Sequence, residues 1–228
     1  MKCVVAPDIP NNWASLEPFT VSSPENILNA PRPAPVSLRH VFGHMVPDLV
    51  LGALAQALPG KILAEGSGAL WNIHMSVRPA AWQQGQRAEI LMFNSGGMGA
   101  RPEQDGLNAT AFPSGVMTMP IEATEHAGPV VIWRKELRPD SAGDGQYRGG
   151  LGQIIEIEPA KGHEFEFSAM FDRTLNAPRG RNGGKEGKKG TVALDDGTPL
   201  NPKGWQHVPA GRKLVLHLPG GGGYGDPA

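Results

Sequence analysis

A chain of 228 residues, with 21 Lys and Arg against 22 Asp and Glu, has a formal net charge of −1 at pH 7. A charge this close to zero argues against nucleic-acid binding, which needs a basic surface. No apolar run reaches the roughly 18 residues of a membrane span, and a single cysteine excludes an internal disulfide framework. The N-terminal apolar stretch is too short for a signal peptide, so we expect a cytoplasmic protein.

The first part of the chain combines a proline-rich arm with a helical region. Residues 7–35 carry many prolines and little periodicity, which predicts an irregular arm lying on another surface. Residues 37–58 follow the 3.6-residue period of a helix. Pro47 either kinks one helix or occupies the first turn of a second one. The second piece, 48–58, is apolar nearly all round, so we expect it to be buried.

Period-2 alternation dominates from residue 71 onward and predicts strands. The predicted strands are 71–77, 88–93, 130–137, 153–158, 164–170, 191–194 and 212–218. Long loops join them, and the chain holds 31 glycines and 22 prolines, well above average usage. We therefore predict an α+β, mainly β fold: one buried helical region followed by glycine-rich antiparallel strands. The composition divides into an α+β segment, 1–122, with the arm and helix 37–58, and an all-β glycine-rich region, 123–228.

Glycines cluster in three constellations, at 94–102, 140–150 and 218–227. In the first, Gly96, Gly97 and Gly99 precede Arg101 after a predicted strand, where successive N–H groups can form an anion-binding nest. The alternative is a strand-connecting loop with tight turns. Asp105 follows, and it joins Arg101 as a candidate catalytic residue.

The other two constellations leave similar alternatives open. Asp140, Asp144 and Arg148 lie among glycines, either around a hard cation or in a hairpin connection tied by an Asp–Arg contact. The last run either contacts a substrate or partner, or fills a crowded packing site. The candidate substrate- and phosphate-binding residues are Gly96, Gly97, Gly99, Arg101, Arg148, Gly221, Gly222 and Gly223.

Acid–base and metal chemistry have weaker candidates. Glu122 and Glu125 follow Pro120, and paired carboxylates can transfer protons, although exposed loop pairs are common. Glu122 is kept as a third catalytic candidate. His40 and His44 share a helix face at the spacing of a zinc pair, but the metalloprotease glutamate and a third ligand are lacking. No metal is therefore predicted on this chain.

Several motifs, in order, resemble the hydantoinase B/5-oxoprolinase family, which is related to the acetone carboxylase alpha-type subunit. Residues 94–106 match its Gly-Gly-x-Gly-Ala-Arg-Pro-x-x-Asp-Gly motif, and further matches lie at 120–125, 137–145, 147–150 and 219–227. The resemblance implies one subunit of an ATP-dependent hetero-oligomer that hydrolyses cyclic amides such as hydantoins and 5-oxoproline. A glycine nest with Arg101 would then suit a phosphorylated intermediate.

The resemblance covers only the C-terminal portion of such a subunit. The Asp-Pro-Tyr-x-Gly-Gly-Thr-His-like motif of the family's N-terminal half, associated with metal binding, is not in this sequence. We therefore expect no cofactor on this chain alone, and ATP and a divalent metal in the complete complex. The expected partners are a hydantoinase A-type ATP-binding subunit, the N-terminal half and a small cyclic amide, with no nucleic acid or membrane. Alternatives are a non-catalytic assembly module or truncated remnant, a ketone carboxylase component, or a small-anion-binding β-domain.

Overall fold

A computed structural model describes residues 2–25, 29–30, 39–68, 70–81 and 87–227. These residues form five helices: α1 Lys2–Val5, α2 Trp13–Leu16, α3 Arg39–Gly43, α4 Val46–Leu54 and α5 Ile121–Ala127. The strands are β1 Trp71–Pro79, β2 Ala88–Asn94, β3 Val130–Leu137, β4 Gln153–Pro159, β5 His163–Met170, β6 Thr191–Leu194, β7 Lys203–Val208 and β8 Leu214–His217. None of the helices described has the length and apolar character that a bilayer span demands.

The strands form two four-stranded antiparallel sheets around one core. One sheet has the order β2-β1-β5-β7 and the other β3-β4-β8-β6. Alternate side chains of both sheets point into the shared core, as in other face-packed sheets. The core residues predicted from alternation are confirmed: Phe165, Phe167, Ala169, Leu214 and Leu216 are all fully buried. The α+β, mainly β fold class is therefore confirmed.

The sequence missed four elements: the four-residue helices α1 and α2, strand β7 and helix α5. β7 lies at a sheet edge, and Val208 is its only buried residue, so its alternation is weak. Helix α5 has only seven residues and begins directly after Pro120. The predicted division at 122 falls inside α5, and strands from both sides of it pair in one sheet, since β1 pairs with β5.

The helical region consists of two helices, because α3 ends at Gly43 and α4 begins at Val46. Pro47 lies in the first turn of α4, where a missing N–H costs no intrahelical hydrogen bond. Residues 37–38 lie outside the described part of the chain. The expectation that the second piece is buried is wrong: only Asp48 and Leu51 of α4 are buried, and Leu49 is 66% exposed.

The proline-rich arm is mostly exposed where it is described, with Ser15, Phe19 and Ala30 partly buried. Trp13 is 85% and Val21 90% exposed, while 26–28 and 31–35 lie outside the described residues. The arm is not wholly irregular, because α2 forms at Trp13–Leu16. A capping box starts this helix: Asn12 accepts from the Ser15 N–H, and the Ser15 hydroxyl accepts from the Asn12 N–H.

The three glycine constellations meet in what we call the glycine lattice: residues 95–100, 143–152 and 218–225, packed side by side outside the two sheets. Gly221 N donates to Gly150 O, and Gly150 N donates to Met98 O, each at 2.8 Å. A Cβ on Gly97 would lie 1.9 Å from Gly150 O. Because only glycine lets backbones approach this closely, the packing of the lattice requires glycine at such positions.

Gly97→Ala should lower the free energy of unfolding by roughly 3 kcal/mol or more, because neighbouring backbone must move to admit the methyl group. The expected fall in Tm, measured by circular dichroism, is roughly 10 °C. Gly43→Ala is the matched control. Its added Cβ meets nothing within 4 Å and it lies in α3, so Tm should hold or rise. Equal effects of the two variants would contradict the packing role of the lattice.

Candidate functional site

A cleft of about 490 Å³ lies between α4 and the segment 173–189. We call it the Asp48 cleft. Its apolar lining is Met45, Leu49, Leu175 and Ala177, and its polar lining is Asp48, Glu65, Arg173, Asn176, Arg179, Glu186 and Lys189. A concave surface of this size that combines apolar and polar groups is a candidate small-molecule site.

Two carboxylates and two guanidinium groups form an ion network in this cleft. Glu65 is 3% exposed, and its Oε2 lies 3.0 Å from Nη1 of Arg173. Its Oε1 lies 2.6 Å from Nη2 of Arg179. Arg173 also reaches Asp48, with Nη2 2.9 Å from Oδ2. Such dense pairing is what permits these charges to be buried.

The glycine lattice positions the network. Glu65 N donates to Arg179 O at 3.0 Å, and Glu65 O accepts from Gly222 N at 2.9 Å. The N–H of Arg179 donates to the Glu65 carboxylate at 3.1 Å. The Glu65 side chain therefore projects from backbone that is held on both sides, while Arg173 connects it to α4.

The two carboxyl groups differ in acidity because their surroundings differ. Burial raises the pKa of Asp48 to about 6, despite the opposing attraction of Arg173. Burial also acts to raise the pKa of Glu65, but hydrogen bonds with Arg179 and the charge of Arg173 outweigh it and lower that pKa. Neighbouring carboxyl groups whose pKa values are shifted in opposite directions are characteristic of sites that transfer protons or bind charged ligands.

The structure brings three of the candidates named from sequence together. Arg101 donates from Nη2 to the Asp105 carbonyl oxygen at 2.8 Å, and the Asp105 carboxylate accepts from Arg148 N at 2.8 Å. Arg148 is thus held by a residue outside the loop 140–150. These contacts fasten one edge of the glycine lattice.

The candidate glycines lie in the interior of the lattice. Hydrogen bonds from Gly97 N to Pro219 O, Gly221 N to Gly150 O, Gly222 N to Glu65 O and Gly223 N to Lys185 O take up their N–H groups. Added Cβ atoms on Gly96 and Gly99 would lie 2.5 Å from Pro219 O and 1.9 Å from Ala64 O. These contacts support the alternative that the glycines fill a crowded packing site. The N–H groups of Gly97, Gly221, Gly222 and Gly223 are already hydrogen-bonded within the chain, so a role of these glycines in phosphate binding stays a prediction.

Glu122 lies apart from these groups. It is exposed in the first turn of α5, a helix that packs against β2 and β3. Its predicted partner Glu125 accepts a hydrogen bond from Ile132 N at 2.8 Å, so that carboxylate joins α5 to β3. Glu122 stays a candidate, with no described contact that assigns it a reaction.

The histidine pair makes contacts of its own. The rings of His40 and His44 are 6.1 Å apart and edge to face, and His40 Nε2 lies 2.7 Å from Asn72 Nδ2. Burial and the neighbouring His40 lower the pKa of His44. Throughout the described residues, no three His, Cys, Asp or Glu side chains are grouped so that they could hold a metal ion.

Sequence reasoning missed the Asp48 cleft. Arg173 is 108 residues from Glu65 and 125 from Asp48, so no local spacing links them. The one available signal was Asp48 itself, a lone charge in an apolar helical stretch, since buried carboxylates are rare unless paired.

Asp48→Asn should change how stability depends on pH. The pKa of Asp48 is about 6 in the folded chain and 3.8 is its ordinary value, so between these values the folded state binds more protons. This group's contribution to the wild-type free energy of unfolding therefore falls as pH rises from 4 to 6. We expect the Tm of the Asn variant, relative to wild type, to rise over that interval.

Asp196→Asn is the control for this measurement. Hydrogen bonds with Arg212 and Thr198 lower the pKa of Asp196 to about 2, so this group stays charged above pH 4. Its Tm difference from wild type should be flat between pH 5 and 7, and between pH 4 and 5 it should change only slightly and in the opposite direction to that of Asp48→Asn. A flat profile for Asp48→Asn as well would contradict the raised pKa.

Comparison with known sequences identifies the family. The model for hydantoinase B/oxoprolinase matches residues 1–227. An uncharacterized protein of Methanocaldococcus jannaschii is 32% identical over 100% of this chain and 40% of its own length. A Pseudomonas protein named as the B-type subunit of a D-/L-hydantoinase is 30% identical over 96% of this chain and 37% of its own. The chain thus spans about two fifths of these relatives.

Solved structures agree with this fold. The ATP-dependent caprolactamase of Pseudomonas jessenii matches with a TM-score of 0.73 and 29% identity, over 87% of this chain and 36% of that one. Acetone carboxylase matches with a TM-score of 0.57 and 16% identity, over 76% and 28%, a likeness of fold alone. The chain belongs to the hydantoinase B/oxoprolinase family.

Proposed function

We propose that this chain is the C-terminal part of a hydantoinase B-type subunit of an ATP-dependent cyclic-amide hydrolase. The match of residues 1–227 to the family carries the proposal. It is supported by the relative named for a D-/L-hydantoinase and by the structural likeness to an ATP-dependent caprolactamase. Hydantoin, 5-oxoproline and lactam rings all contain the amide bond that such an enzyme opens.

The proposed activity needs more than this chain. Because the chain covers 36% of the caprolactamase chain, most of the corresponding subunit lies outside it. We propose that the remaining B-type residues, a divalent metal and an A-type subunit that binds ATP complete the enzyme, in the cytoplasm. ATP would phosphorylate the amide oxygen, which would make the attached carbon a better electrophile for water and the oxygen a leaving group.

Arg101 is the residue of this chain best suited to such an intermediate. It is only half-buried, and its Nε and Nη2 donate to the Asp105 carbonyl oxygen, which orients the guanidinium. The described residues make no hydrogen bond to its Nη1. A planar guanidinium with a free edge binds phosphate oxygens strongly. Asp105 would then act as a positioning residue for Arg101 and Arg148.

The decisive test is reconstitution with the A-type subunit and the remaining B-type residues. ATP hydrolysis should depend on a cyclic amide such as hydantoin, 5-oxoproline or caprolactam, and should disappear when this chain is omitted. ATP turnover that is the same with and without this chain would favour a non-catalytic assembly module. Turnover that requires a ketone and bicarbonate would favour the carboxylase alternative.

In that complex, Arg101→Ala should lower turnover roughly tenfold or more, the scale expected when one donor to a developing charge is lost. Arg101→Lys should recover only part of it, because an ammonium group cannot bind in a bidentate manner. Arg212→Ala is the control, since Arg212 pairs with the partly exposed Asp195 and Asp196. Unchanged turnover in Arg101→Ala would contradict the assigned role, and Tm of each variant separates catalysis from folding.

A further inference from the structure

Among the described residues, only one of the two carboxylate oxygens of Asp48 has a hydrogen-bond partner. Its Oδ2 pairs with Arg173, whereas the described residues offer no hydrogen bond to Oδ1. Oδ1 is not among the enclosed unpaired atoms, so it has access to solvent. Asp48 lines both this cleft and the neighbouring pocket beside Gly52 and Arg181. A carboxylate oxygen accepts hydrogen bonds only, so its complementary ligand group is an N–H, best a charged ammonium.

The rim of the same cleft carries positive groups. The Arg179 side chain is 76% exposed, and Nη1 makes no hydrogen bond to the described residues. Lys189 lines the rim and forms no salt bridge with the residues described. Glu186 also lies on the rim and partly offsets this charge. Arg179 and Lys189 together suit a carboxylate.

The lining of the cleft also includes exposed apolar side chains. Leu49 is 66% and Leu175 80% exposed, and both line the cleft with Met45. Large apolar side chains exposed in one concave place favour a ligand that removes them from water. An aliphatic chain is the kind of ligand group that these side chains would cover.

We propose that the Asp48 cleft binds a small aliphatic amino acid as a zwitterion. Its ammonium group donates to Oδ1 of Asp48, its carboxylate contacts Arg179 and Lys189, and its carbon chain packs on Leu49 and Leu175. The choice of ligand rests on the proposed function: water cleaves the amide C–N bond and forms a C–O bond. A lactam ring such as that of 5-oxoproline or caprolactam then carries a carboxylate and an amine that takes up a proton. The cleft would thus retain the product class.

Binding to the purified 228-residue chain, without ATP or partner, tests this inference by isothermal titration calorimetry. The probes are 6-aminohexanoate, hexanoate and hexylamine, which share a six-carbon chain. The first carries both an ammonium and a carboxylate, the second only the carboxylate and the third only the ammonium. We expect 6-aminohexanoate to bind roughly tenfold or more tightly than either of the others, because each loses one charge-assisted contact. Equal affinities, or no binding of 6-aminohexanoate, would overturn the proposal.

Two variants locate the contacts. Asp48→Asn should weaken 6-aminohexanoate to the level of hexanoate and leave hexanoate unchanged. Lys189→Gln should weaken the binding of both 6-aminohexanoate and hexanoate and leave the affinity for hexylamine unchanged. Because Lys189 is exposed, this variant keeps the test valid if Asp48→Asn fails to fold. Lys213→Gln is the control, because Lys213 lies over Trp133 outside this cleft. Uniform effects of all three variants would contradict the assignment.

The outcome is separable from the proposed function. If the reconstituted enzyme opens cyclic amides but the isolated chain does not bind 6-aminohexanoate, this inference alone would be overturned. Selective 6-aminohexanoate binding by a chain whose reconstituted complex does not hydrolyse cyclic amides would support the zwitterion site and contradict the hydrolase.

Discussion

The close approach of backbone to backbone in the glycine lattice is the constraint on which the rest of the structure depends. The central segment, 220–223, is hydrogen-bonded on several sides, because Gly221, Gly222 and Gly223 donate to three different neighbouring segments. Side chains at these positions would fall within 2.0–2.3 Å of carbonyl oxygens. The conformational entropy lost by so many glycines is offset by hydrogen bonds that no bulkier residue could reach.

The Asp48 cleft follows from this lattice step by step. Gly222 N holds the Glu65 carbonyl, and Arg179 O holds the Glu65 N–H, so the Glu65 carboxylate is fixed by backbone. Arg173, in the left-handed region at φ 58°, then directs its guanidinium to Glu65 and Asp48 together. The side of the cleft near Glu65 is thus tied to the lattice, and the other side, α4, is attached through the Asp48–Arg173 pair.

How much of this could be predicted varies with the range of the interaction. Strand faces such as Phe165 and Phe167 follow from alternation, because sheet burial is a local, period-2 property. The glycine constellations are conspicuous in the sequence, but an anion-binding nest and a tightly packed loop need similar local sequences. Which of the two forms depends on acceptors such as Gly150 O, which is far from Gly221 in sequence. The error on α4 has the same origin: periodicity reports that a face is apolar, not which segment covers it. Leu49 is apolar and uncovered.

The attachment of α4 gives the cleft an asymmetric response to protons. Glu65, with its lowered pKa, keeps its charge at pH values where Asp48, with a pKa of about 6, becomes neutral. Protonation of Asp48 relieves the cost of burying its charge and also weakens its attraction to Arg173, while the Glu65–Arg179 pair stays intact. The same proton occupies the carboxylate that an ammonium ligand needs. Ligand binding therefore requires the form of Asp48 that is costlier to bury. An ammonium group at Oδ1 would offset part of that cost by adding to the attraction of Arg173 and Arg181.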